Sequence, residues 1–289
     1  MTQFLWQKPI FILGNPRSGT SLLRLMLDSH SNICIPPESH FFLWLENKYG
    51  EWNNLLLDNY IEDLFNSTKF ETWNINKDNL KLFLTDKNVL DYSHLNSLIY
   101  YFYSLKTNND IVYWGDKNSL WKEKLYKIKE YYPDAYYIYI IRDGRDVACS
   151  YKNLHKREIK SKYAPKLPQD ISVIANSWVN NNNYVENYLK LINSKNIVQI
   201  KYEDLIKEPK KTLVSVLNML KLDYMDKQLK YYKRPKNDIE PELFFDWKEK
   251  LMQPPLTSNI GKYKKELSSN EIELFNNLAK EVLEKYSYI

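Results

Sequence analysis

The segment PIFILGNPRSGTSLLRLMLDSH, residues 9–30, limits the fold more than any other stretch of the chain. PIFILG (9–14) reads as a short apolar strand. Residues 20–29 carry Leu22, Leu23, Leu25, Met26 and Leu27 and read as a helix. Between them Gly14 and Gly19 have the spacing of a phosphate-binding loop, with Thr20 and Ser21 after the second glycine. Backbone N–H groups of a tight loop entering a helix N-terminus make an anion cradle. Arg17 adds a planar cationic fork suited to oxyanions, and Ser18, Thr20 and Ser21 add hydroxyl groups. The lysine that such a loop carries for a nucleoside triphosphate is missing, because Thr20 stands in its place. An ordinary strand–turn–helix corner is the bland alternative. The strand before the loop, the helix after it and Arg17 within it favour a phosphate site.

The remainder of the chain alternates strands and helices. NICIPPE (32–38) reads as a second strand closed by two prolines, which offer no ladder hydrogen bond. Residues 40–105 read as mostly helical. DIVYWGDK (110–117) reads as a strand ending in charge, and 119–132 as a helix. AYYIYIIRD (135–143) is apolar on both faces, as a buried parallel strand is. A helix follows, then a long polar helix over 170–193, a strand over 196–205, a helix with Pro209 near its start, and a last helix over about 270–286. The pattern predicts an α/β fold of P-loop type, three-layered, with a mainly parallel central sheet flanked by helices. Ligands in such sheets bind beyond the carboxyl ends of strands. Gly14–Thr20, Glu38, Lys117, Arg142 and Tyr202 all follow strand ends and are expected to share one site.

Composition narrows the function classes. With 289 residues and 44% hydrophobic content, a single domain over 1–289 is expected. Cys34 and Cys149 are the only cysteines, which suits a reduced compartment better than a disulfide scaffold. No cluster of Cys and His has metal-ligand spacing, so no metal is expected. A net charge of +5 permits an anionic ligand without requiring nucleic acid, and no nucleic acid partner is expected. No apolar run approaches the roughly 18 residues of a membrane span. The N-terminus lacks the pattern of a signal peptide. A cytoplasmic protein is expected; the oligomeric state is not readable.

PIFILGNPRSGTSLLRLMLDSH resembles the 5′-phosphosulfate loop of the sulfotransferase superfamily, whose donor is 3′-phosphoadenosine 5′-phosphosulfate (PAPS). Its PRSGT form is similar to tyrosylprotein and many bacterial sulfotransferases. YIIRDGRDVACSY (139–151) resembles the family's 3′-phosphate element, a strand ending in arginine with a serine eight residues on, which Arg142 and Ser150 match. The alternative for Arg142 is an ion pair with Asp143 or Asp146. Arg145 and Asp146 are expected as local surface charge pairs. IKYEDLIKEP (200–209) resembles the element that puts an aromatic residue, here Tyr202, near the adenine; a tyrosine merely capping the sheet end is the alternative. SNIGKYKKELS (258–268) resembles the carboxyl-terminal element that closes over the donor, and it adds Ser258 and Lys262.

Sulfuryl transfer needs a base for the acceptor hydroxyl and cations for the transferring group. The resemblance implies Glu38, in IPPESHFFLW (35–44), as the base, and ESHFF is close to the heparan sulfate enzymes. Partial burial near Phe41 and Phe42 would tune it. His40 is the competing base. Lys117, in YWGDKNSL (113–120), matches the family lysine that contacts the sulfuryl group, and Arg17 joins it. PAPS is thus the implied cosubstrate. The acceptor is a hydroxyl of a carbohydrate, glycolipid, peptide tyrosine or small alcohol, a glycan among them. Residues 41–110 and 155–195 match nothing in the family and are expected as helical insertions shaping the acceptor site. A P-loop nucleotide kinase or NTPase is the alternative, disfavoured by the absent lysine and by the Arg142/Ser150 pair. A non-catalytic nucleotide-binding module is disfavoured by Glu38 and Lys117.

Overall fold

The computed structural model describes residues 4–107, 110–118 and 124–289. Five strands form one parallel sheet: β1 Ile10–Leu13, β2 Ile33–Cys34, β3 Tyr113–Lys117, β4 Tyr136–Ile141 and β5 Ile197–Lys201, in the order β2-β3-β1-β4-β5. Such an order requires crossover connections, and helices supply them, so this is the α/β fold that the alternating pattern predicts. In β1 and in Ile138–Ile141 of β4 every residue is buried, which explains why those runs are apolar throughout. Register aligns Ile12 of β1 with Lys117 of β3, and Cys34 of β2 with Trp114.

The described residues cluster into two compact units. The first takes the residues up to Ile12, then Arg24–Tyr137 and Met225–Tyr231. Its helices Phe41–Tyr49, Leu57–Phe65, Lys77–Thr85 and Tyr92–Ser104 fill most of the span read as helical. Its core is largely aromatic. Trp73 packs edge-on to Phe41 at 5.4 Å and to Tyr100 at 5.0 Å, and Tyr100 stacks on Trp114 at 4.2 Å. Phe41 and Phe42 belong to this core, Phe42 through Tyr92 and Tyr132. β2 is shorter than its apolar run. At Ile35 the ladder gives way to side chains: the Ile35 N–H donates to Asp28 Oδ1 and its carbonyl accepts from Arg24 Nη1. Of the helix expected over 119–132, Leu125–Tyr131 is observed and 119–123 lie outside the described residues.

The second unit takes Leu13–Leu23, Ile138–Tyr224 and Tyr232–Ile289. The strand expected over 196–205 is shorter than its pattern. β5 ends at Lys201, and Tyr202 opens a helix, Tyr202–Lys207, whose first turn carries Glu203 and Asp204 where carboxylates favour a helix N-terminus. Helix Pro209–Leu220 then starts on its proline. The last helix, Ser269–Lys285, begins with a capping box of Ser268 and Glu271.

Gly144 opens helix Gly144–His155 where backbone meets two buried rings. A Cβ there would lie 2.5 Å from Phe275 Cζ and 2.7 Å from Trp178 Cδ2. Gly144→Ala is therefore expected to destabilise the chain by about 1–3 kcal/mol through overpacking, read as a lower urea midpoint at unchanged slope. An unchanged midpoint would show that the rings yield freely.

Candidate functional site

The candidate side chains gather in two clusters, one in each unit. In the second unit, residues 14–19 connect β1 to helix Thr20–Asp28. The loop closes on itself through the Ser18 N–H to the Asn15 carbonyl at 3.1 Å. Asn15 is held in turn by Tyr151 and Asn181, at 3.1 Å and 2.7 Å. Asn181 lies in the polar helix Ile171–Leu189, inside the 155–195 span expected to shape the acceptor site. Gly19 is required twice over. Its φ is +93°, and a Cβ would sit 2.4 Å from Tyr202 Cδ2. Arg17 is also left-handed, at φ +70°, a conformation that costs a non-glycine residue roughly 1 kcal/mol or more and persists only when neighbours enforce it.

The neighbours are visible. Arg17 Nε donates to Ser150 Oγ at 3.1 Å, and the Arg17 carbonyl accepts from Arg142 Nη1 at 3.0 Å. Arg142 Nη2 donates to the Asn259 carbonyl at 2.7 Å, and its guanidinium lies 4.2 Å from the Tyr202 ring centroid. Arg142 thus contacts carbonyls and an aromatic face. The carboxylates expected as its alternative partners are otherwise engaged. Asp143 receives Arg145, and Asp146 accepts the N–H groups of Gly261 and Tyr263 at 2.7 and 3.0 Å. Arg145 and Asp146 are accordingly buried structural groups, not surface charge pairs. Burial, and then the charge of Arg142, push the Arg17 pKa down to about 10. Lys262 is lowered by the same two causes in the same order, with Glu266 3.8 Å away. Two polar atoms of this cluster are buried with no hydrogen-bond partner, Ser18 Oγ and Arg142 Nε. Ser258 is exposed, in the turn Thr257–Asn259, whose last residue touches Arg142. Thr20 is buried at the helix start, with Ser21 half-buried beside it.

In the first unit Glu38 is the hub. Lys117 Nζ, from the carboxyl end of β3, lies 2.5 Å from Oε2; Lys69 Nζ lies 2.5 Å from Oε1; His40 Nε2 lies 3.1 Å from Oε1. All four side chains are largely buried. The backbone around Glu38 is fixed as firmly. Trp73 Nε1 donates to the Pro37 carbonyl at 2.8 Å and Asn118 Nδ2 to the Ser39 carbonyl at 3.2 Å. His40 Nδ1 has no partner, while Nε2 meets both an acceptor, Glu38 Oε1, and a donor, Lys69 Nζ at 3.3 Å, so its role turns on the tautomer. The ring packs edge-on to Trp44 at 4.6 Å.

The family model described as "Sulfotransferase family" matches residues 9–226. The chain belongs to the sulfotransferase family. Solved structures agree on the fold. The sulfotransferase domain from the curacin biosynthetic pathway aligns with a TM-score of 0.62 at 21% identity, over 94% of this chain and 97% of that one. The sulfotransferase domain of the Synechococcus PCC 7002 olefin synthase gives 0.58 at 17%, over 96% and 98%. A mouse sulfotransferase complexed with PAP gives 0.52 at 13%, over 94% and 83%. No curated protein sequence matches the chain.

Within this sulfotransferase, Glu38, Lys117 and His40 meet in one cluster, and Arg17, Arg142, Tyr202 and Ser150 meet in the other, with Lys262 feeling Arg142's charge. Sequence reasoning missed Lys69, Asn15, Asn181 and the Asn259 carbonyl. Lys69 lies in NSTKFETW with no motif to mark it, and a backbone carbonyl leaves no trace in a sequence. Among the described residues no group of three or more His, Cys, Asp or Glu is placed to hold a metal ion, and no helix is long and apolar enough to cross a membrane.

Burial holds the His40 pKa below its ordinary 6.5, outweighing the Glu38 hydrogen bond that raises it. The unfolded chain then binds a proton that the folded chain refuses. Stability from this group is complete above pH 6.5 and is lost as pH falls through the folded pKa. Urea unfolding from about pH 7.5 down to pH 5 should show falling stability, with a shallower decline in His40→Gln. Parallel slopes in the two proteins would show that His40 is not the titrating group.

Proposed function

We propose that this sulfotransferase moves a sulfuryl group from PAPS to an acceptor hydroxyl. The observation that carries the reading is the pair Arg17 and Arg142, two guanidinium groups at one loop whose partners are a hydroxyl, two carbonyls and a ring. A cationic pair of this kind, with Ser18 Oγ and Arg142 Nε left unsatisfied, suits a ligand carrying two anionic groups. The residues present therefore fit the donor. Bound PAPS supplies the sulfuryl group and its phosphate leaving group.

The chain's own residues supply the rest. The amides of 14–19, with Arg17, Ser18, Thr20 and Ser21, hold the 5′-phosphosulfate. Arg142 and Ser150 hold the 3′-phosphate, and Tyr202 is the aromatic contact for the adenine. Lys262 and Ser258 close the carboxyl-terminal side. Glu38 takes the proton of the acceptor hydroxyl, and Lys117 with Arg17 offsets the charge that builds on the leaving oxygen. Positioning and electrostatics then account for most of the catalysis, with no metal required. The whole chain acts as one sulfotransferase domain, and 41–110 and 155–195 shape a pocket for a carbohydrate, glycolipid, peptide tyrosine or small alcohol.

3′-Phosphoadenosine 5′-phosphate (PAP) is expected to raise Tm without Mg²⁺, and ATP far less. Equal stabilisation by ATP that depends on Mg²⁺ would point to a kinase instead. Glu38→Gln should keep PAP-induced stabilisation and lose turnover by roughly 100-fold or more, as loss of a general base does. Turnover that survives Glu38→Gln but disappears in His40→Ala would move the base to the imidazole.

A further inference from the structure

The proposed base Glu38 is gripped from a short segment that no motif marks. Residues 67–73 contact Glu38 and the residue before it. At the start of the turn Lys69 Nζ lies 2.5 Å from Glu38 Oε1 and 3.3 Å from His40 Nε2. At its end, Trp73 Nε1 holds the carbonyl of Pro37, the residue before Glu38, while the Trp73 ring is locked among Phe41, Phe70 and Tyr100. The backbone is tied back as well, through the His40 N–H to the Thr68 carbonyl at 3.4 Å.

Lys69 occupies this place at a backbone cost. Its φ is +69° and its ψ −3°, left-handed for a residue with a side chain. Three other non-glycine residues with positive φ, Asn74, Lys221 and Ser287, sit where helical segments end, the usual place for that conformation. Lys69 instead precedes the turn Phe70–Trp73, and Arg17, in the phosphate loop, is the remaining case. The Lys69 carbonyl is fixed by Thr72 through both its N–H, at 3.1 Å, and its hydroxyl, at 2.7 Å. Strain held by such over-determined contacts collects where a side chain must be aimed.

The two oxygens of a carboxylate turn freely about a soft terminal torsion unless each is claimed. Here each has its own ammonium: Lys117 on Oε2, Lys69 on Oε1. Lys117 is already spoken for by the transferring group in the reaction proposed above. A second cation is then needed to keep the carboxylate oriented when Lys117 turns to that task. We infer that Lys69 is a positioning residue, whose ammonium fixes the plane of the Glu38 carboxylate for proton removal from the acceptor. This inference rests on Glu38 being the base.

The test is single-turnover release of labelled sulfate from ³⁵S-PAPS to water, with PAP affinity measured by calorimetry on the same proteins. Water carries no group that a lysine could bind as part of an acceptor, so an acceptor-recognition role would leave this rate unchanged. Lys69→Ala should lower the rate by roughly 10- to 100-fold, with PAP affinity held within about twofold. Lys69→Arg should recover most of the loss. Lys69→Gly, which suits the left-handed backbone and guards against a folding failure of the alanine variant, should have a higher Tm than Lys69→Ala while staying as slow. Lys69→Ala in a Glu38→Gln background should add little further loss, because a positioner has nothing left to position. An unchanged rate in Lys69→Ala and Lys69→Gly, a parallel loss of PAP affinity, or full additivity with Glu38→Gln overturns the inference. Failure of the base assignment reads differently: Glu38→Gln itself would then keep its rate. Loss of rate in Glu38→Gln with a normal rate in the Lys69 variants removes Lys69 alone.

Discussion

Arg142 ties together three segments that lie far apart in sequence. One N–H goes to the carbonyl of Arg17 in the loop after β1, another to the carbonyl of Asn259 near the carboxyl end, and the flat of the guanidinium rests on Tyr202 after β5. Much of the second unit serves this side chain. Tyr202 backs both Arg142 and Gly19, so glycine is needed where the loop passes the ring. Asp146 anchors Gly261 and Tyr263, which sets the turn that presents Asn259. Asp143, the nearest carboxylate in sequence, is occupied by Arg145. Arg142 and Arg17 are thereby left with neutral hydrogen-bond partners, and burial first, then the charge of Arg142, depresses the Arg17 pKa. Two guanidinium groups that hydrogen-bond only to neutral atoms are the basis on which an anion site is proposed.

The Glu38 cluster follows the opposite logic. There a carboxylate is surrounded by two ammonium groups and an imidazole, all largely out of water. Breaking one partner of a buried ion pair is more disruptive than the pair is stabilising. Rigidity around Glu38 therefore comes from contacts to its neighbours in the chain: the paired hydrogen bonds at Ile35, the Trp73 and Asn118 donors, and the aromatic packing of Phe41. The charges set orientation and the rings set place.

Much of this was legible in the sequence, for identifiable reasons. A buried parallel strand must be apolar on both faces, so β1 and β4 could be read directly, and the glycines bracketing Arg17 marked the loop. Strand ends announced Lys117 and Arg142 because charge follows an apolar run. The shortfalls share one cause, which is that partners distant in sequence override local pattern. Arg145 and Asp146 look like surface charges until Tyr288, Gly261 and Tyr263 arrive to bury them. β5 was read too long because Tyr202 is apolar enough to extend a strand, although acidic residues behind it favour a helix start. Lys69 is one lysine among many, and only the fold reveals its carboxylate.

The central claim is that the Arg142 corner of the second unit recognises a phosphate on the 3′ position of an adenosine nucleotide. Calorimetric titration with PAP and with AMP tests it most directly, because the two ligands differ by that one group. PAP is predicted to bind at least about tenfold more tightly, a contribution of roughly 1.4 kcal/mol, with the difference erased in Arg142→Gln. Equal affinities for PAP and AMP in the wild-type protein would contradict the account.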